Sequence, residues 1–179
     1  MTAIATAIPA GTYTSDPVHS TAGFAVKHML ATFRGSFATL NADVTVDEDG
    51  RARLIGTVPV GSVVVKDENL AAHLQSPEFF DVEQYPEIRF ESTEIAVEGP
   101  IARLTGDLTI KGHTERVTAE GSVVGPIEDP FGNTKLALQF ETVVDRTKFG
   151  LNWNAPLPKG GFMLGNEVTL SVDLELLQG

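Results

Sequence analysis

The sequence predicts an all-β fold, an antiparallel barrel of about eight strands with one or two short helices. Three observations predict it. Apolar residues recur with a period of two, the β-rich runs are long, and short Gly, Pro and Asp punctuation separates them. Many antiparallel strands in one chain must hide their edges, and closure into a barrel removes edges altogether.

The clearest run is the last. Val168, Leu170, Val172, Leu174 and Leu176 alternate with Thr169, Ser171, Asp173 and Glu175. Successive strand side chains point to opposite faces, so this is a half-buried strand. Leu136, Leu138, Phe140 and Val144 repeat the pattern, as do Leu104, Leu108 and Ile110, and Val117, Ala119 and Val123. Phe24–His28, Phe33–Val46, Arg51–Val65 and Ile88–Val97 are also rich in β-formers. Asp47-Glu48-Asp49-Gly50, Gly99-Pro100 and Lys111-Gly112 read as hairpin turns.

One stretch reads as helical. Asn69 to Asp81 should leave the barrel and close or flank one end. Pro77 forbids a single helix there, leaving Asn69–Leu74 and a second short helix over Pro77–Phe80. Phe79 and Phe80 need burial and would line or plug that end. Residues 1–10 are expected to be a flexible N-terminal segment and 11–179 one barrel domain.

Composition narrows the function. The chain carries 24 acidic against 13 basic residues, a formal charge of −11. That argues against nucleic acid and against broad contact with anionic membranes. There is no cysteine, so no disulfide or thiolate metal site is available. No apolar run approaches the length of a membrane helix, and the N-terminus is a poor signal peptide. The expectation is a soluble, cytoplasmic protein.

No catalytic or cofactor motif is present: no nucleophile elbow, phosphate loop or dinucleotide fingerprint. Gly160–Gly165 is glycine-rich but precedes no helix. His19-Ser20 resembles a nucleophile–base pair only on paper, because adjacent strand residues face opposite ways. None of His19, His28, His73 and His113 forms a metal-binding pattern, so no metal and no cofactor are expected.

The candidate ligand-contacting residues follow from strand faces. Phe24, Val26, His28, Phe37, Leu108, Phe140 and Val172 sit on the apolar faces of their strands and are expected to line a lumen. For His28 two readings stay open, a satisfied core histidine or a polar group pointing into a cavity. Lys27, Arg34, Lys111 and Arg146 stand out in an acidic chain. Arg146 follows a well-alternating strand, near where a barrel mouth would be, so it is assigned the head group of a ligand, with His19 and Lys27 as helpers. The competing reading has Arg146 bridge Asp16 or Asp145 and pin strands.

Several pieces together carry a resemblance. They are Tyr13 with Asp16 and His19-Ser20, Phe24 with Lys27-His28-Met29, Arg34-Gly35-Ser36-Phe37, and His73-Leu74-Gln75-Ser76. They continue through Phe79-Phe80-Asp81, Tyr85-Pro86, Phe90-Glu91-Ser92-Thr93, Gly106 to Gly112, and Arg146 with Phe149-Gly150. In order and spacing the chain resembles the YceI-like family. The resemblance implies a lipocalin-like barrel that binds polyisoprenoids and related long-chain amphiphiles, and it adds Phe149 to the expected ligand contacts. Two departures show. Many members carry a signal peptide that this N-terminus lacks, and Leu70-Ala71 stands where a charged pair is common. Trp153 to Gly165 looks like the version found in members without export signals.

The reading is therefore binding, sequestration or transport of an isoprenoid or fatty-acyl chain by a non-enzyme, with a homodimer left open. Two rivals stand beside it: an interaction or stress-response module with a filled barrel, and a lipid-modifying enzyme using His19 or His28.

Overall fold

A computed structural model describes residues 8–179. Residues 1–7 of the segment expected to be flexible lie outside the described residues. Ile8 is buried in the core, and the Tyr13 hydroxyl donates to the Pro9 carbonyl at 2.7 Å.

The chain forms a closed antiparallel barrel. Strands β1 (Gly11–Ser15) and β2 (Thr21–His28) act as one bent strand, as do β3 (Ala31–Phe37) and β4 (Asn41–Val46). β5 (Ala52–Pro59) is followed by a 3-10 turn, Val60–Ser62, and a short β6 (Val63–Val64). Four long strands come next: β7 (Glu87–Glu98), β8 (Ile101–Ile110), β9 (His113–Glu128) and β10 (Thr134–Asp145). β11 (Leu164–Gln178) closes the circle, since its first part pairs with β2 and its end with β1. With bent strands counted once, the barrel has eight strands, as the alternation predicts.

The two bends have a reading in the sequence. In β3 the buried residue is Phe37, at an odd position, whereas in β4 Ala42, Val44 and Val46 are buried, at even ones. A regular strand cannot change parity, so the chain breaks at Ala38–Leu40. The same switch separates Tyr13 from Ala22 and Val26. There Asp16 accepts from Val18 N at 2.8 Å and turns the chain. The predicted strands Phe33–Val46 and Arg51–Val65 are therefore each divided.

The hairpins fall at Asp47–Gly50, Gly99-Pro100 and Lys111-Gly112. Lys111 (φ 51°) and Gly112 (φ 75°) both take left-handed backbone in the two-residue turn between Ile110 and His113, the geometry that suits strand twist. The Lys111 ammonium donates to the carbonyls of Pro77 (3.0 Å) and Gly150 (3.4 Å). This lysine thus ties a hairpin to the helical excursion and to the segment after β10.

That excursion contains α1 (Glu68–Gln75). Asp67 caps it, accepting from Asn69 N and Leu70 N. The expected second helix at Pro77–Phe80 does not form. Ser76 precedes a proline and is extended, and the chain folds instead into turns in which Phe80 N donates to Leu74 O at 2.9 Å. The excursion crosses the same barrel end as the Lys111-Gly112 turn and the start of β11, and Phe79 is buried beneath it.

Candidate functional site

Beneath α1 the barrel is hollow. A cavity of about 430 Å³ lies there, within the range of small-molecule sites. A second chamber of about 150 Å³ lies deeper in the barrel and shares Phe37, Ile88, Ile110 and Leu170 with the first.

Two aromatic groups wall the upper cavity. Phe24 stands 5.9 Å from Phe33 and 5.8 Å from Phe37, and Phe37 meets Phe80 at 6.2 Å. The Phe24 ring lies over Gly35, where any side chain would collide with it, so the glycine makes room for the ring. On the lid side, His73 meets Phe79 and Trp153 edge-on, each at 4.9 Å. These rings come from β2, β3, α1, the turns after α1 and the loop after β10, and each buries a large apolar surface.

The expected ligand contacts divide by depth. Phe24, Val26, His28, Phe37, Arg146 and Phe149 line the upper cavity. Leu108, Phe140 and Val172 line the deeper chamber. His28 lines the upper cavity, the placement that the second of its two readings describes.

His19 and Lys27 lie elsewhere. Lys27 lies between Val26 and His28 on its strand, so the pleat turns it outward, where it is exposed. His19 lies at the β1–β2 bend beside Glu175, whereas Arg146 follows Asp145, which pairs with Glu167. Glu167 and Glu175 are about 26 Å apart along β11, which puts His19 and Arg146 at opposite barrel ends. Neither helper can reach a head group held by Arg146.

His19 instead pairs with Asp16 at 3.0 Å, and Glu175 lies 4.0 Å away. The ligand atoms of these three residues cluster within 4.8 Å, but Glu175 is already bonded to the Lys135 ammonium at 2.8 Å. The hydrogen bond to Asp16 raises the His19 pKa above its ordinary 6.5, and the same bond lowers that of Asp16 below 3.8. A raised histidine pKa contributes stability below the unfolded value and loses it as pH rises through the folded one. A lowered aspartate pKa contributes above the unfolded value and loses it as pH falls through the folded one. The pair therefore stabilises the bend between those two limits. Imidazole NMR titration should find His19 above 6.5 in the parent and lower in Asp16→Asn; an unchanged midpoint would mean Asp16 does not set it.

Arg146 is the unusual residue. It opens the 3-10 turn Arg146–Phe149, which Asp145 caps by accepting from Thr147 N and Oγ1. Its side chain is only 4% exposed. Nε donates to Gly165 O at 2.8 Å, and Nη1 donates to Leu151 O (2.6 Å) and Trp153 O (2.9 Å). Nη2 is buried with no partner, the one such side-chain atom among the described residues. Burial lowers the Arg146 pKa, yet an arginine stays charged in a protein. No ion pair joins Arg146 to Asp16 or Asp145, the partners of the competing reading; the guanidinium pins the chain through backbone carbonyls instead.

Sequence reasoning missed Trp153, His73, Leu70 and Met163, all of which line the cavity. Leu70 adds apolar wall. The lone tryptophan and the His73 piece were visible signals, but neither lies on an alternating strand.

Comparison with known proteins gives a consistent picture. A family model described as a YceI-like domain matches residues 13–176. A UPF0312 protein of Staphylococcus aureus (strain bovine RF122 / ET3-1) is 30% identical over 167 residues, 91% of this chain and 95% of that relative. Among solved structures, BcnA of Burkholderia cenocepacia superposes with a TM-score of 0.76 at 24% identity, covering 92% of this chain and 99% of that one. A polyisoprenoid binding domain from Saccharophagus degradans superposes at 0.69 with 11% identity, covering 96% and 100%. At these identities the structural likeness is one of fold.

Proposed function

The chain belongs to the YceI-like family, and on that footing we propose that it binds a long-chain amphiphile of isoprenoid or fatty-acyl type inside the barrel. The hollow lumen carries the proposal. Its upper wall consists mainly of Phe, Leu, Ile, Val and Met side chains, and the deeper chamber continues it with Leu, Val and Phe. Each Å² of apolar surface removed from water contributes roughly 25 cal/mol before ordering costs, so a long hydrocarbon can be held by burial alone. Such a site selects by length and shape. The described residues include no helix long and apolar enough to cross a membrane. The role is that of a binder that sequesters or carries its lipid rather than transforming it.

Native mass spectrometry of the gently purified protein tests this. Expected is an added mass that leaves on denaturation, or, after delipidation, uptake of an added long-chain lipid. Trp153, the sole tryptophan, lines the cavity, so the same lipid should change its emission. A clean mass and an unresponsive Trp153 across isoprenoid and acyl ligands would leave the filled-barrel reading standing instead.

A further inference from the structure

Arg146 is a buried cation that forms no ion pair among the described residues. No aspartate or glutamate lines the upper cavity; its polar side chains are His28, Thr32, His73 and Arg146 itself. Asp145, next in the chain, accepts from Thr147 through Oδ1 and acts on the guanidinium only through its charge, with no ion-pair contact. A charge removed from water is costly unless it is paired, and solvent does not reach Nη2 to stand in for the missing partner.

The guanidinium is also held still. Three backbone carbonyls engage Nε and Nη1. The side chain cannot swing elsewhere for a partner without breaking those bonds, so Nη2 is held in place behind the cavity lining. The engagement of Nη1 also closes the usual two-pronged approach of a carboxylate along Nη1 and Nη2. What remains is end-on contact at Nη2, which suits a small, singly charged group.

We propose, resting on the reading of the lumen as a lipid site, that the ligand is a long-chain carboxylate whose head group accepts from Arg146 Nη2 within the upper cavity while its tail fills the apolar space toward the deeper chamber. The head group reaches Nη2 by displacing lining side chains rather than by entering open space. One carboxylate neutralises one guanidinium and uses the N–H groups that nothing else uses. An alcohol or ester oxygen accepts a hydrogen bond but leaves the charge in place. A phosphate monoester brings more negative charge than this wall offsets and a larger head.

Palmitic acid, palmityl alcohol, methyl palmitate and hexadecyl phosphate share one tail and isolate the head group. Each is titrated below its aggregation threshold into the delipidated full chain, with Trp153 emission and native mass spectrometry as readouts. The acid should bind about tenfold or more tightly than the alcohol and the ester, the size of one charge-assisted hydrogen bond. In Arg146→Gln the acid should lose its advantage over the alcohol and the ester, read as a ratio within the variant so that any general loss of affinity cancels. Should Arg146→Gln fail to fold, the parent protein's ranking of the four ligands decides the matter alone. Equal binding of acid, alcohol and ester overturns the head-group assignment and leaves the lumen as a lipid site. Tighter binding of the phosphate overturns the carboxylate. If none of the four binds, this proposal fails, and the lipid-site reading fails with it only where isoprenoid ligands also leave the mass and the Trp153 emission unchanged.

Discussion

Phe79→Ala should lower the unfolding free energy by about 3–5 kcal/mol, the range for truncating a buried phenylalanine. Phe79 is 7% exposed, packs 5.5 Å from the Trp153 ring and supports His73 edge-on. Its removal leaves a void where α1, the loop after β10 and the barrel meet, and the backbone turns at Ser76–Asp81 hinder collapse around it. In a chain of this length each kcal/mol corresponds to about 2–4 °C in Tm. Urea melts of parent and variant check the size. A change below about 1 kcal/mol would mean that the lid side carries little of the stability.

Arg146→Met should be comparably damaging for a different reason. It removes no apolar surface, but it deprives the carbonyls of Leu151, Trp153 and Gly165 of their donor. A buried acceptor left unpaired costs about 1–3 kcal/mol; the bond to Leu151 is buried and those to Gly165 and Trp153 are part-buried, so a loss of about 2–3 kcal/mol is expected. The loss should be local first. The segment 150–163 should become readily cleaved by protease while the far end of the barrel stays protected. Unchanged stability with an unchanged cleavage pattern would show that these bonds do not anchor the segment. This experiment reads stability alone and stands apart from the ligand series. Arg146 thus combines three bonds to backbone carbonyls with one nitrogen that has no partner.

The inward-facing residues were legible wherever a strand is regular. Leu136, Leu138, Leu174 and Leu176 are all fully buried, as their alternation requires. The same parity turns Lys27 outward between two inward residues, whatever its charge. His19 failed for another reason. Its distance from Arg146 depends on the pairing of β11 with β2 and β10, and no local pattern encodes that register. Pro77 marks a helix end but does not dictate the path of the chain beyond it. The next residues satisfy their N–H groups on Leu74 and Ser76 and so need no second helix.

What the amino-acid order determined by itself is the β class, the inward set of each regular strand, the turns at Asp47–Gly50 and Lys111-Gly112, and the family resemblance. These rest on periodicity, backbone φ preferences and motif order, which are properties of neighbouring residues. Only the tertiary structure decided that the lumen is hollow under α1, that His73 and Trp153 join β2 and β3 in one wall, and that Arg146 spends most of its fork on carbonyls. Each of those depends on where segments far apart in the chain come to rest. Barrel closure sets those positions through long-range strand pairing, and the volume left inside is the small difference between a fixed circumference and the side chains that happen to face inward.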